Sequence, residues 1–249
     1  CGKGGYLNSL CKEQTGKTAC ELLGITSKSF SFTPRISFTP FSLEDKIKED
    51  SKKERETSLV VKGAVRSYFQ APEALKYVES RGIGKREAAS MQMKYVEEAY
   101  CNGTYFKKRL LIPIYNEQGS LINVEARDVT RKQEAKCLYP KSTVKTIYEH
   151  YKLDTSKPLY IVEGLMDLAV LRSDDFFANS SAIFGVQVTE YQISLLKKFS
   201  EVILIPDNDA AGKQSIQLLK SRLANSKTKF STLRIGSSFI KDVGEIPEY

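Results

Sequence analysis

The sequence is short of histidine, with His150 alone in 249 residues, and its five cysteines are an odd number at irregular spacing. A lone histidine reads as structural or exposed, and nothing around it suggests a catalytic role. The cysteine pattern excludes a disulfide framework and fits a reducing cytosol. No run approaches the ~18 consecutive apolar residues that a membrane span requires, so no membrane partner is expected. A signal peptide is lacking too, and Cys1 is no natural start, so the chain is expected to be a fragment or to lack its first residues. A phosphate-binding Walker loop is also missing: Gly16-Lys17-Thr18 has the right ending, but Cys11 stands where a glycine is required and no strand precedes it.

What is present is a real core and an excess of positive charge. Hydrophobic content of 41% with 27% charged residues describes a soluble globular chain, long enough for one large domain or two modest ones. The formal net charge is +8 and the pI about 9.1. Simple solubility is one reading. A polyanionic partner is the better one, because cationic surfaces gain affinity by releasing counterions from phosphates.

Residues 1–25 open with a cysteine-glycine turn and continue as a short amphipathic helix. Residues 26–62 read as a linker, with Ser-Phe-Thr-Pro twice, at 31–34 and 37–40, and then the charged run EDKIKEDSKKERE, expected to stay solvated or weakly helical. From Ala64 to Glu98 the pattern reads as helical, with Pro72 in a first turn and Gly82 as a stop. RLLIPIY, NEQG and LINVEAR then read as strand, turn and strand. From residue 157 the regime changes. Apolar strands at 159–163, 182–185, 202–206 and 230–235 alternate with helices at 165–172, 189–199 and 210–224, which implies a parallel sheet covered on both faces.

Acidic residues close two of those strands. Glu163 ends LYIVEG, and Asp207 and Asp209 end VILIPDND. In open parallel sheets functional groups gather beyond the carboxyl ends of the strands. If the two strands are neighbours, three carboxylates converge, and Asp167, one helical turn after Glu163, could point to the same place. Such carboxylates repel one another unless a cation lies among them, and oxygen-only ligands favour Mg²⁺ or Mn²⁺ over zinc. For Asp209 the competing reading is a helix N-cap. Upstream, Lys107, Lys108, Arg109, Arg127, Arg131, Lys132, Lys136 and Lys141 form a basic block with Tyr105, Phe106 and Tyr115 among them. Cations and aromatics together suit a single nucleic-acid strand. The plainer reading is a solvated basic hairpin with core aromatics.

IVEGLMD followed by LIPDNDAAG resembles the TOPRIM domain, shared by DnaG-type primases, topoisomerases and several nucleases. IKDVGE resembles a late acidic segment of the primases and brings in Asp242 as a further metal-site acid. YVESRGIGKREA, KKRLLIPIYNEQGSLINVEARD and AKCLYP resemble, in that order, the basic N-terminal subdomain of the DnaG-type primase core, with Arg109, Arg127 and Lys136 at matching positions. CGKGGYLNSLCKEQTGKTACELLGI resembles the tail of a primase zinc ribbon, which would make Cys1 a zinc ligand whose partners lie upstream.

The resemblance implies an α/β protein: a TOPRIM domain at 157–249, with a Rossmann-like parallel sheet and flanking helices, preceded by a smaller mixed α+β basic subdomain at 63–156. It implies a DNA primase, of phage or mobile-element type, that makes short RNA primers by metal-dependent nucleotidyl transfer. Single-stranded DNA template and ribonucleoside triphosphates are the expected partners, a replicative helicase a further one, and the cytoplasm of a bacterium or phage-infected cell the location. Glu163, Asp207 and Asp209 are the expected catalytic acids, with Asp167 and Asp242 supporting Mg²⁺ or Mn²⁺. Zn²⁺ is expected in a fuller-length protein. Lys108, Arg109, Arg127, Lys136, Lys141, Lys213 and Lys241 are expected to steady nucleic acid or nucleotide. A TOPRIM nuclease and a non-catalytic single-strand-binding module remain alternatives.

Overall fold

The computed structural model describes residues 42–185 and 187–233. Cys1, the Ser-Phe-Thr-Pro repeats, Lys241 and Asp242 lie outside the described residues.

The first described element corrects an expectation. Leu43–Glu56 is a 14-residue helix, α1, where a solvated or weakly helical run was expected. A capping box starts it: the Asp45 amide donates to Ser42 Oγ at 3.1 Å, and the Ser42 amide donates to Asp45 Oδ2 at 3.3 Å. Tertiary contacts then hold it. Glu54 is only 3% exposed, His150 Nε2 lies 3.0 Å from its Oε1, and the Tyr191 hydroxyl donates to its Oε2. Asn116 Nδ2 donates to the Glu54 carbonyl at 3.1 Å. Burial raises the Glu54 pKa, but the bonds from His150 and Tyr191 outweigh it and leave the carboxyl below its usual 4.5. A depressed folded-state pKa gives stability that is present above the unfolded value and lost as pH falls through the folded one. Acidification below about pH 4.5 is therefore expected to loosen α1, and Glu54→Gln to do the same at neutral pH. Trypsin tests this, since α1 carries Lys52, Lys53 and Arg55; cleavage in α1 no faster than in the parent chain would refute the latch.

Five strands form an antiparallel sheet in the order β1-β2-β3-β4-β5: β1 Lys62–Ser67, β2 Lys94–Cys101, β3 Thr104–Tyr115, β4 Leu121–Asp128 and β5 Cys137–Leu138. Helices α2, Pro72–Glu79, and α3, Lys85–Ser90, lie between β1 and β2. The helical expectation for 64–98 thus holds for α2 and α3 and fails at both flanks. Lys94-Tyr95-Val96-Glu97-Glu98 reads as helix by composition, but β3 supplies a complete ladder, from Lys94 opposite Leu111 to Cys101 opposite Thr104. Cross-strand pairing overrides local preference there.

The second sheet has the order β7-β6-β8-β9 and is wholly parallel: β6 Leu159–Val162, β7 Ser180–Ala182, β8 Glu201–Leu204 and β9 Lys229–Thr232. Helices α4, Leu165–Leu171, α5, Glu190–Leu196, and α6, Ala210–Leu223, make the crossovers. β7 begins two residues earlier than expected because Ser180 and Ser181, both fully buried, break the apolar signal. One core cluster joins the two sheets, taking Leu110, Ile112 and Ile122 from the first and Val162, Leu165 and Leu168 from β6 and α4.

Candidate active site and nucleic-acid interface

The chain leaves β6 toward β7 on one side and returns to β8 on the other, so β6 and β8 are direct neighbours at the switch point of the parallel sheet. Leu159 pairs with Val202 and Ile161 with Leu204, which brings the strand ends that carry Glu163 and Asp207 side by side. Ligands of open α/β sheets bind in this crevice. Glu163 is 9% exposed, and its carbonyl accepts the Gly185 amide at 3.1 Å. Asp207 is half-buried.

Two glycines fix the acids. A Cβ on Gly212, in the first turn of α6, would lie 2.0 Å from the Asp207 carbonyl oxygen, so only glycine lets the helix approach that closely. A Cβ on Gly164 would lie 2.8 Å from Asp167 Oδ2 and 4.0 Å from Arg127 Nη2. Asp209 caps α6, its Oδ1 accepting the Gly212 amide at 3.0 Å. Asp167 is 8% exposed and pairs with Arg81 Nη2 at 3.5 Å, so a cation from the basic subdomain reaches this acid.

The donors at this strand end are all carboxylates, which suits a hard cation. Among the described residues, no three His, Cys, Asp or Glu side chains stand close enough to cage one ion. Mg²⁺ needs no such cage, because one or two carboxylates with phosphate and water complete its shell.

The basic residues sort differently from expectation. Arg109, expected on the nucleic-acid path, is 2% exposed. Its Nη1 donates to the Ala135 carbonyl at 2.7 Å and to those of Ala126 and Lys136 at 3.3 Å, while Nη2 donates to Gln133 Oε1 at 2.8 Å. Arg109 is therefore a fastener for the loop after β4, and the correction follows from burial. Its cross-strand neighbour Asp128 holds the same loop, accepting the amides of Thr130 at 2.8 Å and Gln133 at 3.0 Å. Burial would raise the Asp128 pKa, but these bonds prevail and lower it.

The loop so fixed presents Arg131 and Lys132 to solvent. They line a groove of about 840 Å³ with Lys76, Lys107 and Lys108. A second hollow of about 340 Å³ shares Tyr77, Arg131 and Gln133 with it and reaches Arg81 and Lys136. The basic groove thus leads to Arg81, the arginine paired with Asp167 at the acidic site. Lys108 is tied to Glu97 at 3.3 Å and Glu73 at 3.6 Å on the groove wall. Lys136 is exposed in the second hollow, and Lys213 is exposed one turn after the Asp209 cap. Lys141 lies elsewhere, against the turn between β2 and β3, with its amide donating to the Asn102 carbonyl at 3.2 Å.

Arg127 is held inside. It is 7% exposed, and its Nε lies 3.2 Å from Oε1 of Glu125, itself 2% exposed. Tyr139 donates its hydroxyl to Glu125 Oε2 at 2.7 Å, and the Cys137 thiol lies 3.8 Å from Oε1. Burial, then the Glu125 charge, push that thiol up to about 11, so it stays a neutral donor at pH 7. Burial alone would lower the Arg127 pKa, but the charges around it, Glu125 foremost and Asp167 among them, raise it. Sequence reasoning missed Lys76, Arg81 and Glu125.

Residues 160–246 match the family model described as Toprim-like, and the chain carries a Toprim domain. Its relatives are DNA primases: over 123 residues it is 31% identical to the DNA primase of Lactococcus lactis, covering 45% of this chain and 19% of that protein. Among solved structures it resembles the Aquifex aeolicus primase, zinc-binding and RNA polymerase domains, with a TM-score of 0.57 and 22% identity over 82% of this chain and 58% of that one. It also resembles a DnaG primase catalytic domain bound to single-stranded DNA, with a TM-score of 0.56 and 19% identity over 70% of this chain and 66% of that one. The fold is that of the DnaG catalytic core.

Proposed function

We propose that this chain is the catalytic core of a DNA primase, copying single-stranded DNA into short RNA primers from ribonucleoside triphosphates. The observation that carries the reading is the joining of two sites in one unit: a cationic groove that ends at Arg81 beside Asp167, and an acidic strand-end pair at the switch point. The template lies along Lys107, Arg131 and Lys132, whose charges meet phosphates. Glu163 and Asp207, with Asp209 and Asp242 as further acids, hold Mg²⁺ or Mn²⁺. A divalent cation bound there supplies the charge that acidifies an attacking 3′-hydroxyl and neutralises triphosphate oxygens. Arg81 pairs with Asp167, the Arg127 charge acts on the same acid, and Lys213 and Lys241 are assigned to steady the triphosphate. Activity in the bacterial or phage-infected cytoplasm, a replicative helicase as neighbour, and zinc held through Cys1 with upstream ligands belong to the same proposal.

Incubation with single-stranded template, nucleotides and Mg²⁺ tests it. Short RNA products support the primase. Template shortening would mean a nuclease instead, and a mobility shift without chemistry a binding module. Replacing Arg131 and Lys132 together with alanine is expected to weaken template binding and to reduce the salt slope by about 2, one per lost phosphate contact. Isotherms at several salt concentrations measure this, and an unchanged slope would take the loop off the template path.

A further inference from the structure

The antiparallel sheet carries an aromatic surface that the acidic site and the groove do not use. Tyr100, near the end of β2, and Tyr105, near the start of β3, are directly opposite one another across the two strands. They are 56% and 40% exposed, with ring centroids 5.1 Å apart and planes inclined by 41°. Phe106, which has the same chemistry to offer, is fully buried and plays no part. Exposed Lys62 on β1 is opposite Tyr100, which places a cation on the same row. Lys107 shares the face of Tyr105 two residues along β3, about 7 Å away by strand rise. That same Lys107 lines the basic groove, and its carbonyl accepts Gln133 Nε2 at 2.7 Å, from the loop that presents Arg131 and Lys132. The tyrosine pair is therefore linked to the groove through Lys107.

We propose that Tyr100 and Tyr105 form a stacking platform for unpaired bases of the single-stranded DNA template, extending its path beyond the basic groove. This rests on the primase reading of the groove. Two open π faces with Lys62 and Lys107 beside them match what a single strand offers, bases on one side and phosphates on the other, while Glu98, opposite Lys107, accepts the Tyr105 hydroxyl and holds that ring in place. The hydrophobic alternative, a cross-strand pair that only stabilises the hairpin, accounts for the ring contact but not for the flanking cations or the link to the groove. The platform adds affinity through stacking, so it adds little to the salt dependence, which belongs to Lys107, Arg131 and Lys132.

The test is binding of fluorescently labelled oligothymidines of roughly 6 and 16 nucleotides, a range that spans the site sizes of single-strand grooves. In the chain with Tyr100→Ala and Tyr105→Ala, binding of the longer strand is expected to weaken at least about tenfold with an unchanged salt slope, while the shorter strand binds as before. Tyr100→Phe with Tyr105→Phe keeps the rings and is expected to bind within about twofold of the parent chain. Tyr100→Leu with Tyr105→Leu separates stacking from apolar cover: parental affinity in that variant overturns the platform, as does an alanine pair that leaves the longer strand unaffected. Loss in the alanine pair that thermal unfolding traces to a destabilised fold, with the phenylalanine pair also weakened, overturns it too. Tighter binding of an oligouridine of equal length would assign the surface to the RNA product and overturn the template assignment. If tyrosine variants are silent while the Arg131 and Lys132 variant is weakened, the platform alone fails. If the parent chain binds no single strand, the primase reading fails with it.

Discussion

Asp207→Ala and Glu163→Gln are each expected to reduce primer synthesis by at least about a thousandfold, about 4 kcal/mol of barrier, while template affinity stays within about twofold. The asymmetry follows from geometry. Both acids are at the switch point, on strands whose pairing places their ends side by side, and the cationic groove proposed for the template is built from other elements. Asp207 is half-buried, so its removal costs the fold little. Glu163→Gln keeps the shape of a buried side chain and removes only its charge. Labelled-nucleotide incorporation beside template anisotropy separates the two effects, and primer yield at the parental level in either variant would remove that acid from the chemistry. Asp209 differs, because its carboxylate caps α6 through the Gly212 amide. Asparagine also caps helices well, so Asp209→Asn is expected to fold normally and to report on charge alone.

The parallel half of the fold was legible because buried strands and helices of ordinary length alternate from residue 159 onward. That alternation also placed Glu163 and Asp207 at strand ends, and the adjacency of β6 and β8 made a condition of the sequence into a site. Four things were not legible, for separate reasons. β2 carries Glu97, Glu98 and Ala99, good helix formers that become strand only through the β3 ladder. α1 is charged along most of its length, and its one buried side chain is a carboxylate, Glu54, that meets His150 and Tyr191 far along the chain. Arg109 is in a basic run and reads as surface, where arginine usually lies, but here it is turned inward and its donors tie down a loop. Gly212 belongs to the same group. It looks like helix dilution, whereas its missing Cβ is what lets α6 rest on the Asp207 carbonyl.

Glu125→Gln is expected to destabilise the fold by about 3–5 kcal/mol, the usual cost of leaving a buried charge without its partner. Glu125 is 2% exposed and is the foremost of the charges that raise the Arg127 pKa. Glutamine keeps the volume and an acceptor for Tyr139, so the loss reports the charge on Arg127 and not a cavity. Urea unfolding monitored by circular dichroism measures it, and a midpoint at the parental value would mean that Asp167 alone suffices as counter-ion. The double variant, Glu125→Gln with Arg127→Met, removes both charges and is expected to regain most of the stability, since no unpaired charge is then left buried. It is not expected to regain primer synthesis. The Arg127 guanidinium stands at the turn between β6 and α4, within 4.0 Å of where a Gly164 Cβ would be, and its charge acts on Asp167. Stability recovered without activity would separate the two roles of this pair: Glu125 keeps an arginine charged inside the protein, and that arginine carries the charge to the acidic site.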